Sequence, residues 1–495
     1  PSRHKGFWHT PAPCIRMTDH LTLLQMNDSH GYLDLHPELF YAAGLPEYRM
    51  AGGYARIAAL FEEIRDARRE QVFAFDCGDT IHGTYPAVRS KGEALVPVLN
   101  ALRLDAMTAH WEFAYGPEQF RRITRALDYP MLAVNCYDDA TGDLVFPPYT
   151  VCETDGLAVG VIGIAATIVD KVMPESFSKG IHFTLGNEEL PGQIAHLRDE
   201  EGVDLVVVVS HLGFPQEVKL AGEVDGIDVL LSGHTHNRLF EPAVVNDTIL
   251  IQSGCHGSFL GRLDLTVENR RVKRYSHELI IVGEEIRPDP EVVDLVAGAV
   301  DPHRERLSRV VGETRTALNR NSVLEATMDN LLLQAICDAT GTQMAFSNGW
   351  RYGAPVPPGP VTANDLWNII PVNPPVSTVE VTGQELRAMM EENLERTFAR
   401  DPYQQMGGYV KRCMGVKLYC KLENPPGLRI QEFFAGGRRL DPDAVYRAAF
   451  VTGQGVPAKY GKNRENLDIR AIEALERYLS RGPASAELRG SVMAI

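Results

Sequence analysis

The sequence predicts stacked α/β layers, and three observations predict it. β-prone apolar runs alternate with stretches of helical apolar spacing from Leu21 to Leu231. Five of these runs end in a polar cluster drawn from Asp, His, Ser and Gly. The composition, 44% apolar and 23% charged over 495 residues, is that of a globular chain with ample core and about two to four domains.

The first run, Leu21 to Leu33 (LTLLQMNDSHGYL), delivers Asn27-Asp28-Ser29-His30-Gly31 where a buried strand ends. Asp28 and His30, two apart, both reach the space beyond the carboxyl edge of a sheet. A hard carboxylate beside an imidazole begins a divalent-metal site. Alone, the pair reads equally as a turn. Gly53 to Glu70 then has the spacing of a surface helix, and Gln71 to Phe75 reads as a buried strand leading into Asp76-Cys77-Gly78-Asp79. Glu93 to Leu102 reads as a helix and Asp105 to Thr108 as a short strand, which ends in Ala109-His110-Trp111-Glu112-Phe113.

Leu157 to Ile164 is a Val/Ile/Gly strand, Asp204 to Val209 ends in Ser210-His211, and Ile227 to Leu231 ends in Ser232-Gly233-His234-Thr235-His236. Any one of these histidines reads as a satisfied structural residue. Five clusters with one placement read together as a metal centre on the rim of the sheets.

Net charge is −16, without a long Lys/Arg block, which argues against nucleic acid or an anionic membrane as main partner. No apolar run reaches eighteen residues, so no membrane span is expected. The eight cysteines form no C-x-x-C pair and read as reduced structural thiols. With no signal peptide visible, this leans toward a cytoplasmic setting; a trimmed start leaves a periplasmic or secreted one open.

The ordered set D-x-H, G-D-x-x-x-G, a Glu-Phe segment, S-H-x-G and G-H-T-H resembles the calcineurin-like metallophosphoesterases, and with its C-terminal half the 5′-nucleotidase family in particular. The resemblance implies a four-layer α/β metallophosphoesterase sandwich plus a C-terminal α/β domain. It implies two divalent metals (Mn²⁺ first, Zn²⁺, Fe or Co²⁺ otherwise), with Asp28, His30 and His236 on one, His211 and His234 on the other, and Asp79 bridging. Such a pair activates a bridging hydroxide and clamps a tetrahedral oxyanion.

One motif departs from the family's G-N-H-E-F-D-Y-G. Here His110 stands for the ligand Asn, and Trp111 for the His that assists the leaving group. His110 remains a competent ligand. Indole only donates a hydrogen bond and does not titrate near neutrality, so acid–base help of roughly 10²–10⁴-fold must come from elsewhere. His82 and His256 are the neighbours by motif context. The His-Trp-Glu-Phe spelling is also similar to the SoxB sulfate thiohydrolases and to a less characterised metallophosphatase branch.

Arg262 to Val282 alternates as closing strands, Ile286 to Pro290 is a proline-marked boundary, and Glu291 to Val311 reads as a connecting helix. The expected divisions are an extension over 1–20, a catalytic domain over 21–285, a linker helix over 286–312 and a substrate-binding domain over 313–495. In the last, Ser322 to Thr340 reads as a helix with a leucine core, and Ser347-Asn348-Gly349-Trp350-Arg351 resembles the family's Asn-Gly segment. The resemblance makes Asn348 and Arg351 substrate-binding, with the guanidinium a planar fork for phosphate or sulfonate oxygens. Tyr409, Phe450 and Tyr460 fall where nucleotidases carry base-stacking aromatics, so they read either as a nucleobase clamp or as core.

The expectation is a binuclear hydrolase with His110, Trp111 and Arg351 in its reaction centre and a nucleotide or related phosphate ester as substrate. The alternative is a thiohydrolase acting on a cysteine S-sulfonate of a carrier-protein tail, with a narrow apolar channel beside Trp111 and no clamp. A non-catalytic binding protein would have lost ligand types, and none is lost here.

Overall fold

The computed structural model describes residues 19–68, 71–154 and 156–495. The expected extension over 1–20 lies outside them except for Asp19 and His20, as does Cys14. Two sheets organise the N-terminal part. One has five strands in the order Val272–Ile281, Phe259–Val267, Asp19–Met26, Val72–Asp76 and Ala106–Met107. The other has six, Ala243–Val245, Thr248–Ile251, Val229–Ser232, Leu205–Ser210, Leu157–Ile164 and Tyr149–Thr154. Central strands of both run parallel, with Met26 beside Asp76, Asp76 beside Met107, and Ser210 beside Ser232. Their carboxyl ends therefore come out level on one rim.

Alternation along the strands decides which layer each side chain joins. Leu21, Leu23, Phe73 and Phe75 of the first sheet meet Val207, Val209, Leu231 and Ile251 of the second in one core. Leu24, Met26 and Ala74 face the other way, onto Ile57 and Phe61 of the helix Tyr54–Arg68. Val206, Val208 and Leu230 face out of the second sheet onto Ile194 and Leu197 of the helix Leu190–Asp199 and Leu220 of the helix Phe214–Glu223. Helix, sheet, sheet and helix make four layers. Gly163 permits a very close approach between elements here, because a Cβ on it would lie 2.2 Å from the Leu132 carbonyl oxygen.

The helix expected over Glu93–Leu102 is a 3₁₀ turn, Glu93–Leu95, followed by a short helix, Val96–Ala101. Pro97 stands in the first turn of the second piece and has no N–H to continue the first. The boundary at Ile286–Pro290 becomes the start of a helix, Pro290–Leu307, whose N-cap Asp289 accepts from Val292 N at 2.9 Å. It buries Val292, Val296 and Ala299 in the same core as the helix Tyr54–Arg68.

The C-terminal part has a five-stranded sheet, Tyr409–Met414, Met344–Gly349, Val445–Val451, Pro375–Thr382 and Lys462–Arg470. A second sheet has four strands: Arg438–Arg439, Ile430–Ala435, Val416–Cys420 and Val492–Ala494. The helix expected from Ser322 starts only at Thr327 and runs to Thr340. Thr362 and Thr382 cap the helices Ala363–Ile369 and Gly383–Phe398 with full capping boxes. Among the described residues no helix is long and apolar enough to cross a membrane, and Cys77, Cys136, Cys152, Cys255, Cys337, Cys413 and Cys420 are free thiols.

Candidate metal centre

The strand ends of both sheets converge on one buried cluster. Donor atoms of Asp79, His110, His211 and His234 lie within 4.8 Å of one another, and so do those of Asp28, His30, Asp79 and His236. Asp79 is common to both sets. Its carboxylate is 3.1 Å from His110 Nδ1, 3.2 Å from His211 Nε2 and 3.7 Å from His30 Nε2. Asp28 is 3.2 Å from His236 Nε2 and 3.7 Å from His211 Nε2. The backbone is strained to bring these groups in. Asp28, His30, Asp79, His234 and His236 all have positive φ, between 48° and 72°. Outside glycine that region is costly, and such residues gather at functional sites.

Surrounding groups fix the orientation of the donors. His30 Nδ1 meets the His82 carbonyl at 3.1 Å, and His211 Nδ1 meets the Cys77 carbonyl, so each turns its Nε2 into the cluster. Asp28 accepts from Asn27 Nδ2 at 2.8 Å and from His234 N at 2.9 Å. Glu112, fully buried, accepts from Thr80 N at 2.6 Å and His110 N at 2.7 Å, and so ties the Asp79 loop to the His110 loop. Reading the motif as letters missed that role. A buried Glu between two loops needs backbone donors, which is the signal that could have found it.

Charge follows the same layout. Burial opposes ionisation of Asp79, yet the His110 and His211 imidazoles hold its carboxyl well below the usual carboxylate range. Burial also pulls His211 down, but Asp79 and Asp28 outweigh it and raise it to about 10. Burial lowers His30 to about 3, and burial with the Arg351 guanidinium holds His234 well below the ordinary imidazole value. The neutral His30 and His234 imidazoles beside two carboxylates are donors for a first-row divalent ion, and a bound cation would take the place of the proton that Asp79 and Asp28 hold on His211. His110 Nε2 is buried without a hydrogen-bond partner, as a nitrogen meant for a cation would be, and His211 Nε2 faces only carboxylates. The residues present therefore fit a metal.

Arg351 reaches the cluster from the C-terminal part. Its Nη1 donates to the His234 carbonyl at 3.0 Å and its Nη2 to the Gly408 carbonyl at 3.1 Å, with the guanidinium carbon 5.5 Å from the Tyr409 ring centre. Gly407 lies against His234, where a Cβ would be 2.7 Å from Nε2, so only glycine fits there. A cleft of about 20 Å³, room for about one water, opens here between His234, Thr235, Arg351, Gln405, Gly407 and Gly408. Asn348 Oδ1 is buried without a partner. The Trp111 side chain is also buried and packs into the C-terminal core, while its backbone N–H donates to the Asp79 carboxylate at 2.8 Å.

Two of the three expected aromatics sit elsewhere. The Phe450 side chain belongs to the core with Phe346 and Met390, and Tyr460 donates its hydroxyl to Glu392 at 2.6 Å. Among the described residues no ring-to-ring contact joins Tyr409, Phe450 and Tyr460. A second polar knot went unread in the sequence. His36, Glu38 and His256 form a buried triad in which His256 Nδ1 is 2.9 Å from Glu38, while its Nε2 accepts from Gly353 N at 3.2 Å. Both His256 nitrogens are therefore engaged. Arg238 and Ser258 complete the shell around Glu38, and the knot ties the N-terminal part to the backbone next to Arg351.

Known proteins share this arrangement of chain. The family model described as the 5′-nucleotidase C-terminal domain matches residues 306–453. The trifunctional nucleotide phosphoesterase YfkN of Bacillus subtilis is 23% identical over 462 residues, 83% of this chain. The chain spans only 30% of that relative's length. Among solved structures, the sulfate thiohydrolase SoxB of Thermus thermophilus superposes with a TM-score of 0.89 at 26% identity, covering 96% of both chains. A 5′-nucleotidase precursor, also from Thermus thermophilus, superposes at 0.84 and 24% identity, over 96% of this chain and 99% of that one. Family match, relatives and fold agree with the clustered donors: residues 306–453 match the 5′-nucleotidase C-terminal domain, and over most of its length the chain is similar to phosphoesterases and 5′-nucleotidases and shares their two-part fold.

Proposed function

We propose that the chain is a binuclear metal-dependent hydrolase that removes a tetrahedral anionic group, in the first instance phosphate, from a nucleotide or related small ester. The observation that carries this is Asp79, a carboxylate within 4 Å of three imidazoles and common to two sets of donors. Asp28, His30 and His236 would hold one cation, His110, His211 and His234 the other, with Asp79 between them. When bound, two such cations, Mn²⁺ foremost, supply an acidified water and charge neutralisation for in-line displacement. The chain does the rest. Arg351 presents its remaining N–H groups to the anion's oxygens. Gly407 makes room for the His234 ring, the buried Trp111 keeps water off its side of the site, and Glu112 keeps the two ligand loops in register. In this reading residues 21–285 carry the metals, 286–312 link, and 313–495 select the substrate.

A second reading, hydrolysis of a cysteine S-sulfonate on a carrier-protein tail, is favoured by one observation. Trp111 is walled by Phe177 at 6.0 Å and Tyr352 at 5.7 Å, while Phe450 and Tyr460 are packed away from any base clamp. Metal analysis of the purified chain, with turnover of AMP, ADP, cyclic nucleotides, sugar phosphates and an S-sulfocysteine peptide, separates the two. Two equivalents of metal and turnover of a phosphate ester support the first. Turnover of the peptide alone selects the second. Under the first reading Trp111→His should raise phosphomonoesterase activity about 10-fold or more if the tryptophan is a departure from phosphate chemistry that no neighbour makes good, since a titratable group near the leaving atom is worth roughly 10²–10⁴-fold. Unchanged or lower activity would show that another group already fills that place.

A further inference from the structure

We propose that His82, Trp111 and Tyr352 form a subsite for the leaving-group side of the substrate, with the His82 imidazole and the Tyr352 phenol as the hydrogen-bond donors that meet it. The proposal rests on the hydrolase reading above. Its ground is an aromatic box built across the two parts of the chain. The His82 ring stacks on Trp111 with centroids 4.7 Å apart and planes 25° apart. Tyr352 stands edge-on to both, 5.7 Å from Trp111 and 6.2 Å from His82. Its face stacks on His30 at 4.2 Å, and Trp111 lies 5.9 Å from His110, so the box shares walls with both sets of metal donors.

Two polar atoms in this box are buried and unpaired: His82 Nδ1 and the Tyr352 hydroxyl. His36 and His256 nearby have their side-chain nitrogens engaged. A buried polar group without a partner costs roughly 1–3 kcal/mol. Two of them on neighbouring rings, at the edge of a reaction centre, mark a place where a ligand supplies the missing bonds. The adjacent Trp111 can donate one hydrogen bond and no more. The ligand these groups call for brings one acceptor next to the scissile bond, an alcohol oxygen or a thiol sulfur, against aromatic walls. Donors fixed there stabilise the charge that develops on that atom as its bond breaks.

The test uses the full chain reconstituted with Mn²⁺, and variants His82→Phe, His82→Gln and Tyr352→Phe. Phenyl phosphate or the S-sulfocysteine peptide, whichever turns over faster, is the substrate; inorganic phosphate or sulfate is the inhibitor that lacks a leaving group. His82→Phe keeps a stacked ring and should lower kcat/KM about 10- to 100-fold, Tyr352→Phe less, and His82→Gln should recover part of the loss. Metal content and the inhibition constant of the bare anion should stay within about twofold. Unchanged kcat/KM in His82→Phe would overturn the proposal, and so would a matching rise in the anion's inhibition constant. If the wild type turned over neither of these nor any ester of the panel above, the hydrolase reading would fail by itself, and calorimetry would decide the subsite. Tighter binding of phenyl phosphate than of phosphate, lost in both Phe variants, would support it. Equal affinities in the wild type would sink it.

Discussion

Asp79→Asn should cut turnover more than ~100-fold, the loss seen when only an outer partner of a metal ligand is removed, and should leave fewer than two metals per chain. The substitution is nearly isosteric, so the 2.8 Å bond from Trp111 N can persist to the amide oxygen. What disappears is the negative charge. The carboxylate is buried, and His110, His211 and His30 stand 3.1, 3.2 and 3.7 Å from it. Without it, two cations would share Asp28 as the one remaining carboxylate in the cluster, itself 3.2 Å from His236. An amide has no second anionic oxygen to place between two ions, and at low dielectric their mutual repulsion is poorly screened. Metal analysis and steady-state kinetics on the same preparation check this. If both matched the wild type, Asp79 would not join the two sets of donors.

Much of this centre could be read from the sequence because its parts are local. A strand that alternates buried faces and then spells Asp-Ser-His places those groups at a sheet's edge whatever lies elsewhere, and the parallel register of Met26, Asp76 and Met107 levels the edges. The same locality explains the well-placed strand Leu157–Ile164 and the caps at Thr362 and Thr382. What escaped reading is non-local. Glu112 acts through backbone N–H groups about thirty residues upstream. His256 gives no sign in its own segment that it bonds to Gly353. Nor could spelling tell that Phe450 faces the core with Phe346 while Tyr409 lies by Arg351, since neighbouring strand positions point to opposite faces. Ser322 to Ala326 reads as part of a helix but forms no regular element, and the Ser322 and Val323 carbonyls accept from Arg412 instead.

That bond belongs to a buried triad whose loss carries the largest expected cost in stability. Asp329, on the helix Thr327–Thr340, accepts from Arg320 Nε at 3.1 Å and Nη2 at 3.0 Å through one oxygen, and faces Arg412 Nε at 3.1 Å with the other. All three side chains are essentially without solvent contact. Asp329→Ala should therefore destabilise the C-terminal part by ~3–5 kcal/mol, because it leaves two guanidinium groups buried with no counter-charge. Asp329→Asn, which keeps an acceptor, should cost less. The triad also supports the site. Arg320 Nη1 donates to the Tyr352 carbonyl at 2.9 Å, and Arg320 and Arg412 lie 5.4 and 5.0 Å from the Trp350 and Tyr409 rings on either side of Arg351. Thermal unfolding followed by near-UV circular dichroism should show the lower transition, and at a temperature where Asp329→Ala remains folded its KM for the anionic substrate should still be raised. A midpoint equal to that of the wild type would mean that the two arginines find other partners or water once Asp329 is gone, and that Arg351 is held by its own contacts to His234 and Gly408 alone.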